Sequence, residues 1–213
     1  MQADYWHQRW ANQDTPFHER DTNPLLLKHL ASLSLPLGAR LFLPLCGKTL
    51  DIRWLLSLGY RVAGAELSPL AIEQLFTGLG IEPEITPKGP IAHYHAPDLD
   101  LFVGDIFDLT RTMLGPIDAI YDRAALVALP AEMRTRYTRH LLQLADAAPQ
   151  LLLTMEYDQR LTPGPPFSVD GEEIRRHYQD RHEVSLVHSA ALPGGGLKGR
   201  YPATERAWLL RRR

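Results

Sequence analysis

Arg40-Leu-Phe-Leu-Pro-Leu-Cys-Gly-Lys-Thr-Leu-Asp51 is the stretch that decides the fold. Its apolar start is typical of a strand buried on both faces, and a single-glycine turn follows the strand. The apolar residues beyond the turn then recur at helical spacing: Leu50, Trp54, Leu55 and Leu58. A buried strand that leads through a tight turn into an amphipathic helix is the opening unit of an alternating α/β protein.

The same alternation continues along the chain. Further short apolar runs, each interpreted as a buried strand, occupy 60–66, 99–105, 117–121 and 150–156. A second helical pattern, 133–144, lies between the last two runs. Because strand–helix–strand crossovers are right-handed, this order predicts a doubly wound, mostly parallel sheet over residues 40–156.

The two ends depart from this rhythm. Residues 1–33 predict a helical segment that covers the sheet edge like a lid, and the proline-rich stretch 80–97 predicts a loop insertion. Residues 157–213 predict a helix at 172–180 and an antiparallel strand pair, 182–190 with 205–212, on the acceptor side of the site. We expect one domain, 1–213, because its length suits a single core.

Composition excludes several classes of protein. The 213 residues carry a net charge of -2, which provides no bulk field for nucleic acid or anionic lipid. The single cysteine cannot form an internal disulfide, and the first residues lack an apolar leader. We therefore expect a cytoplasmic, monomeric protein without a membrane or nucleic-acid partner.

Ligands of such sheets bind beyond the carboxyl ends of the strands. Gly47 follows the first strand, and Glu66 ends the second, 19 positions later, where its carboxylate can accept hydrogen bonds from ribose hydroxyls. A solvated strand-end carboxylate is the alternative for Glu66. Neither GxGxxG nor a P-loop is present. A nucleoside without a diphosphate, such as S-adenosylmethionine, fits these features.

The third and fourth strand ends add further candidates. Asp105 and Ile106 can flank an adenine ring, although a turn with a helix cap is the alternative. Arg123 can pair with an amino-acid carboxylate. Its alternative is an ion pair with Asp122 or Asp118. We therefore expect the third strand end to contact the adenine base of the donor and the fourth to contact its carboxylate.

Three other features have simpler alternatives. Trp6 and Trp10 share one helix face, and an indole could cover a sulfonium, but two packed core aromatics are the alternative. His93-Tyr-His95 lacks a supporting cysteine or carboxylate at ligand spacing, so we predict no metal. Cys46 is interpreted as a packing residue beside the turn and not as a nucleophile.

Several motifs occur together and in order along the chain. They are Trp6-His-Gln-Arg-Trp10, Thr15-Pro-Phe-His18, Pro44-Leu-Cys-Gly-Lys48, Gly64-Ala-Glu-Leu-Ser68, Asp122-Arg-Ala-Ala-Leu-Val-Ala-Leu-Pro130 and Gly164-Pro-Pro-Phe167. Over essentially its whole length the sequence resembles the thiopurine S-methyltransferase family, especially its compact bacterial members. It departs from the family pattern at Thr49, where serine is common, and at Ile106, where phenylalanine is common.

The resemblance implies a Rossmann-like class I S-adenosylmethionine-dependent methyltransferase. It implies that the donor contacts Trp10, Leu45, Glu66 and Arg123, that Asp105 and Ile106 lie near the base, and that Phe17 closes over the acceptor.

The implied reaction transfers the donor's methyl group to the sulfur of an aromatic or heterocyclic thiol such as 6-mercaptopurine. The family is also linked to methylation of selenium and tellurium compounds. In-line attack needs alignment and desolvation, so we expect no catalytic general base and no metal. Lys198 or Arg200 could attract an anionic acceptor. The alternatives are a methyltransferase of another small metabolite, a nicotinamide-dependent oxidoreductase, and a binding or RNA-modifying protein.

Overall fold

The computed structural model describes residues 3–213, which form one nine-stranded sheet with helices on both faces. The strands are β1 (Arg40–Pro44), β2 (Arg61–Glu66), β3 (Glu84–Lys88), β4 (Ile91–Ala96), β5 (Leu99–Val103), β6 (Ala119–Asp122), β7 (Gln150–Tyr157), β8 (His182–Ala191) and β9 (Ala203–Arg212). The α-helices are α1 (Ala3–Ala11), α2 (Pro24–His29), α3 (Asp51–Ser57), α4 (Pro69–Leu79), α5 (Arg111–Leu114), α6 (Ala131–Leu144) and α7 (Gly171–Tyr178).

The strand order is β3-β4-β5-β2-β1-β6-β7-β9-β8. The run from β5 to β7 is parallel, with Pro44 opposite Ala65 and Glu66 opposite Val103. The carboxyl ends of these strands therefore meet at one edge of the sheet. The order reverses direction at β1, which makes this edge the switch point where doubly wound proteins bind ligands. The predicted doubly wound, mostly parallel sheet is confirmed.

Apolar side chains cover both faces of the sheet. On one face, Leu41 and Leu43 of β1 pack in a core with residues of α2, α3 and α4. On the other face, Phe42 packs in a core with residues of α6 and α7. Alternate residues of β1 thus enter different cores, as expected for a strand buried on both sides. This double burial is the physical reason that the strand appears in the sequence as a continuous apolar run.

The proline-rich stretch 80–97 was predicted to be a loop, and that prediction was wrong. It contains the antiparallel pair β3 and β4, which extends the sheet beyond β5. Pro87 is tolerated because β3 is the edge strand of the sheet. Pro90 lies in the turn between the two strands and Pro97 in the turn after β4. The prolines therefore mark an edge hairpin and its turns.

The carboxyl-terminal strand pair was predicted correctly. β8 and β9 pair antiparallel, and β9 also pairs antiparallel with β7. The pair therefore continues the sheet on the side opposite β3. Among residues 3–213, the helices are all too short or too polar to cross a bilayer.

Candidate active site at the carboxyl edge of the sheet

A cavity of about 740 Å³ opens at the carboxyl edge of the parallel strands. Its walls come from the ends of β1, β2, β6, β7 and β9 and from the amino-terminal segment that contains α1. All seven side chains implied by the family resemblance line it: Trp10, Phe17, Leu45, Glu66, Asp105, Ile106 and Arg123. The fold therefore brings the predicted residues into one cavity of a size suited to small ligands.

Glu66 is a buried carboxylate of the cavity, with 6% of its surface exposed. Its Oε2 accepts a hydrogen bond from the Gly47 N–H at 2.8 Å, and its Oε1 accepts one from the Ser68 N–H at 2.9 Å. Burial raises the pKa of the Glu66 carboxyl, while these backbone hydrogen bonds lower it. The carboxylate is thus fixed in orientation, and its remaining lone pairs are available to ribose hydroxyls. The solvated alternative for Glu66 was wrong.

The turn after β1 has an unusual backbone. Leu45 has φ 47° and Gly47 has φ 54°, both in the left-handed region. A β-carbon added at Gly47 would lie 2.9 Å from Cζ2 of Trp10. Glycine is therefore required here both by the backbone angle and by the indole above it. The strained Leu45 position lies directly on the cavity, where such strain is commonly found.

Trp6, Trp10 and Phe17 form an aromatic cluster beside this turn. The Phe17 ring lies 5.6 Å from that of Trp10 and 5.8 Å from that of Trp6, both edge-on. Trp10 is buried, and the Lys48 ammonium lies 5.8 Å from its ring. Both indoles thus pack against Phe17 and line the cavity, while the contact of an indole with a sulfonium stays a prediction.

Replacing Gly47 by alanine will weaken donor binding about tenfold. Alanine in the left-handed region costs about 1–2 kcal/mol, which corresponds to about 5- to 30-fold in affinity, and the new methyl group also displaces Trp10. Calorimetric titration with S-adenosylmethionine measures the effect. Gly78→Ala is the matched control, since Gly78 lies in α4 with nothing within 4 Å of an added β-carbon. Equal donor affinities for the two variants would contradict the role of the turn.

Arg123 follows β6 and points into the cavity wall. Its Nη2 pairs with Oε1 of Glu19 at 2.6 Å. The predicted alternative partners were wrong: Asp122 accepts from Tyr137 and from the Leu126 N–H, while Asp118 accepts from the Arg40 N–H. The partner comes instead from the amino-terminal segment, so this ion pair ties that segment to the sheet edge.

Glu19 belongs to a wider polar network at the base of the amino-terminal segment. Asn23 donates to both Glu19 oxygens from its side-chain nitrogen, at 3.1 and 3.2 Å. The Asn23 N–H donates to Oδ1 of Asp51 at 2.8 Å, and Asp51 is 1% exposed. All three residues line the cavity. Sequence reasoning missed them because the contact of Asn23 with Asp51 and that of Glu19 with Arg123 each join residues that are distant in the chain.

Asp105 and Ile106 lie where the third parallel strand ends. Oδ1 of Asp105 accepts from the Phe107 N–H at 3.0 Å, so the helix-cap alternative describes this carboxylate correctly. Ile106 is buried and lines the cavity together with Phe107. The Arg136 guanidinium lies 3.7 Å from the Phe107 ring centroid. This end of the cavity therefore offers apolar surface to a planar base, with the carboxylate at its rim.

Another wall of the cavity is formed by β7, β9 and the loops near them. Met155, Pro165, Leu197 and Lys198 line it, and Lys198 donates to Oγ1 of Thr162 at 3.2 Å. Glu205 of β9 also lines it, and burial, followed by the charge of Glu19, raises the pKa of its carboxyl. Sequence reasoning missed Glu205 because its strand was recognised only as part of an antiparallel pair.

Burial raises the pKa of two side chains near the cavity. Burial and the nearby Glu66 raise the pKa of the Cys46 thiol, which suits a packing residue and opposes a nucleophile. Burial also raises the pKa of Asp122 to about 6, although the Tyr137 hydroxyl and backbone N–H groups bind its carboxylate. Asp122 is fully buried directly before Arg123. Its protonation state therefore couples pH to the stability of the site.

Folding favours the protonated form of the Asp122 carboxyl, because its folded pKa of about 6 exceeds the ordinary value of 3.8. Its contribution is complete below the unfolded pKa and is lost as pH rises through 6. We expect the free energy of unfolding of the wild type, relative to Asp122→Asn, to fall by about 1.4 kcal/mol between about pH 5 and about pH 7.5. Urea denaturation at both pH values measures it, and a difference that is constant with pH would contradict the assignment.

Comparison with solved structures defines the fold class. Magnesium protoporphyrin IX methyltransferase from Synechocystis, with bound SAH, aligns at a TM-score of 0.64 and 16% identity, covering 98% of this chain and 97% of that one. A TehB-like SAM-dependent methyltransferase from Corynebacterium glutamicum aligns at 0.59 and 14% identity, covering 99% and 98%. The fold is that of the Rossmann-like class I S-adenosylmethionine-dependent methyltransferases.

Sequence comparison then identifies the family. The family model described as "Thiopurine S-methyltransferase (TPMT)" matches residues 1–200. A thiopurine S-methyltransferase from Xanthobacter autotrophicus is 54% identical over 213 residues, covering all of both chains. Another from Gluconobacter oxydans is 47% identical over 206 residues, covering 97% of this chain and 93% of its own. The chain belongs to the thiopurine S-methyltransferase family.

Proposed function

We propose that the protein transfers the methyl group of S-adenosylmethionine to the sulfur of a heteroaromatic thiol such as 6-mercaptopurine. The observation that carries this proposal is the buried, doubly hydrogen-bonded Glu66 carboxylate at the switch point, next to a turn without a phosphate motif. A carboxylate at this position can bind the hydroxyls of a ribose, whereas the turn has no motif that would bind a pyrophosphate. Family membership supports the thiol as acceptor.

The donor would lie across the ends of β2, β1 and β6. In this placement the Glu66 carboxylate accepts hydrogen bonds from the ribose hydroxyls, and Asp105 and Ile106 lie beside the base. The guanidinium of Arg123 then faces the methionine carboxylate, with Leu45 and Trp10 along the chain between them. The strand order supports this arrangement because β1 lies between β2 and β6, which puts Glu66 and Arg123 on opposite sides of the turn after β1.

The acceptor would then lie over β7 and β9, beside Phe17. Its walls are mostly apolar, with Phe17, Val127, Met155 and Leu197 among the lining side chains. A flat heteroaromatic ring suits these walls. In this proposal the protein acts as a monomer in the cytoplasm, and its partner is a small-molecule acceptor. Neither nucleic acid nor a membrane takes part.

The chemistry would be an in-line displacement. A thiolate sulfur attacks the sulfonium methyl carbon, the carbon–sulfur bond of the donor breaks, and S-adenosylhomocysteine leaves. The protein's contribution is to hold the two sulfur atoms in line with the methyl group and to exclude water. A proton acceptor is not needed for a thiol that is already ionised, so the proposal assigns no catalytic general base. The amino-terminal segment, held by the Arg123–Glu19 pair, would provide the cover.

Two measurements test the proposal together. Calorimetry should detect binding of S-adenosylmethionine and S-adenosylhomocysteine but no binding of a nicotinamide dinucleotide. Turnover should then be measured with 6-mercaptopurine and with adenine, which has the same ring system with an amine in place of the thiol. We expect S-adenosylhomocysteine formation with the thiol only. Turnover of adenine, or dinucleotide binding in place of donor binding, would overturn the proposal.

A further inference from the structure

Three potential metal-ligating side chains meet on the sheet away from the cavity. β4 runs antiparallel to β5 with His95 opposite Asp100 and His93 opposite Phe102. Nε2 of His93 lies 2.8 Å from Oδ1 of Asp100, and Nδ1 of His95 lies 3.0 Å from the same oxygen. The prediction of no metal relied on the lack of a carboxylate near the two histidines. Strand pairing supplies that carboxylate.

We propose that His93, His95 and Asp100 form a binding site for one divalent transition-metal ion of the Zn²⁺ type. The three potential ligand atoms all lie within 4.8 Å of one another. A tetrahedral zinc ion with bonds of about 2.0–2.1 Å requires ligand atoms about 3.3 Å apart. Small side-chain rotations therefore convert the hydrogen-bonded cluster into a coordination shell, with water as the fourth ligand.

The surroundings hold the carboxylate in place. Nη2 of Arg40 donates to Oδ2 of Asp100 at 2.7 Å, which leaves Oδ1 facing the two histidines. Arg40 is itself fixed by hydrogen bonds to the carbonyl oxygens of Leu114 and Pro116. The His93 ring stacks on Phe102 at 4.8 Å with an interplanar angle of 7°. Such outer contacts orient the ligands of metal sites.

Exposure permits entry of an ion. The His95 side chain is 52% exposed, and the Asp100 side chain is 24% exposed. His93 is the inner ligand, with 13% exposure. An ion can therefore approach from the His95 side, where water can complete its coordination.

The donor set and the nearby charges select the type of ion. Two imidazole nitrogens and one carboxylate oxygen suit zinc and its neighbours, whereas magnesium and calcium prefer oxygen ligands. Arg40 pairs with the same carboxylate, and the Lys88 ammonium lies over the Phe102 ring at 5.8 Å. These cations disfavour an ion held by charge alone, so nitrogen coordination has to provide the affinity.

Calorimetric titration of the full chain, freed of any histidine tag and treated with chelator, tests the site with zinc chloride as probe. We expect one ion per chain at about pH 7.5 and weaker binding at about pH 5.5, because protons compete for the ligands. His95→Ala and Asp100→Asn should each lower the affinity at least about tenfold. Magnesium should not bind.

The chain offers a matched control in the trio Arg134, Glu173 and His177. There an arginine and one histidine also share a carboxylate, at 2.6 and 3.2 Å, but a second histidine is missing. His177→Gln should therefore bind zinc like the wild type. Zinc should also raise the thermal midpoint of the wild type but not of His95→Ala, since an ion that binds only the folded chain stabilises it.

Side-chain nitrogen NMR of the histidines keeps the test decisive even if Asp100→Asn unfolds. Zinc should shift the Nε2 signal of His93 and the Nδ1 signal of His95. The ring-nitrogen signals of His177 should not change. No saturable zinc binding, or binding that is unchanged in His95→Ala, would overturn the proposal. The outcome is independent of methyl transfer, so it leaves the proposed function unaffected.

Discussion

Glu66→Ala will weaken S-adenosylmethionine binding about 1000-fold, the largest effect that we expect from a single substitution. The proposed ribose loses its charged acceptor. In addition, the N–H groups of Gly47 and Ser68 lose the carboxylate that they bind at 2.8 and 2.9 Å. Because Glu66 is buried, water cannot fully replace it. The substitution therefore removes a ligand contact and loosens the turn that shapes the site.

Calorimetric titration of the Glu66 variants with S-adenosylmethionine and S-adenosylhomocysteine measures this loss. Glu66→Gln should also bind poorly, because one of its two carboxylate oxygens becomes an NH₂ group that meets a backbone donor. Glu73→Ala is the control, since Glu73 lies exposed on α4. Donor affinity within a factor of about 3 of wild type in Glu66→Ala would refute the ribose assignment.

Arg123→Met will weaken donor binding about 100-fold, the second largest expected effect. The substitution removes the guanidinium proposed to face the methionine carboxylate, and it also breaks the 2.6 Å pair with Glu19. Arg123→Lys should recover only part of the affinity, because an ammonium cannot form the two parallel hydrogen bonds of a guanidinium. Stopped-flow or calorimetric binding measurements distinguish these variants.

Glu19→Gln is the control for Arg123→Met, because it removes the ion pair but keeps the guanidinium. If the donor carboxylate and Glu19 share the guanidinium, Glu19→Gln should leave donor affinity intact or raise it, in contrast to Arg123→Met. Arg160→Met should change nothing, because Arg160 is exposed and pairs with Asp158. An equal loss in Glu19→Gln and Arg123→Met would contradict a direct role of Arg123. It would point instead to the ion pair as the feature that matters.

Most of the sheet could be predicted from sequence because its strands are buried on both faces. Such strands appear as apolar runs, as β1 and β7 do. The β3–β4 hairpin could not be predicted in this way, because β3 is a largely exposed edge strand that contains Pro87. The hairpin joins the sheet through the pairing of β4 with β5, which follows it in the chain. No local pattern in 80–97 indicates that pairing.

Some residues of the site could likewise be predicted from the sequence, and others could not. Glu66 and Arg123 could be located because the fold fixes where strand ends lie. Their partners could not all be found from the sequence. Glu19 lies more than 100 positions before Arg123 in the chain, and its meeting with the guanidinium depends on how the amino-terminal segment packs. Asp100 likewise approaches both histidines only through the register of β4 and β5.

The central claim is that this cavity aligns a sulfonium methyl group with a thiol sulfur. A reaction with ¹³C-methyl-labelled S-adenosylmethionine and 6-mercaptopurine, followed by carbon NMR of the product, tests it most directly. We expect the label on the exocyclic sulfur, with one S-adenosylhomocysteine formed for each methyl group transferred. Label on a ring nitrogen, or no labelled product from an enzyme that binds the donor, would contradict it.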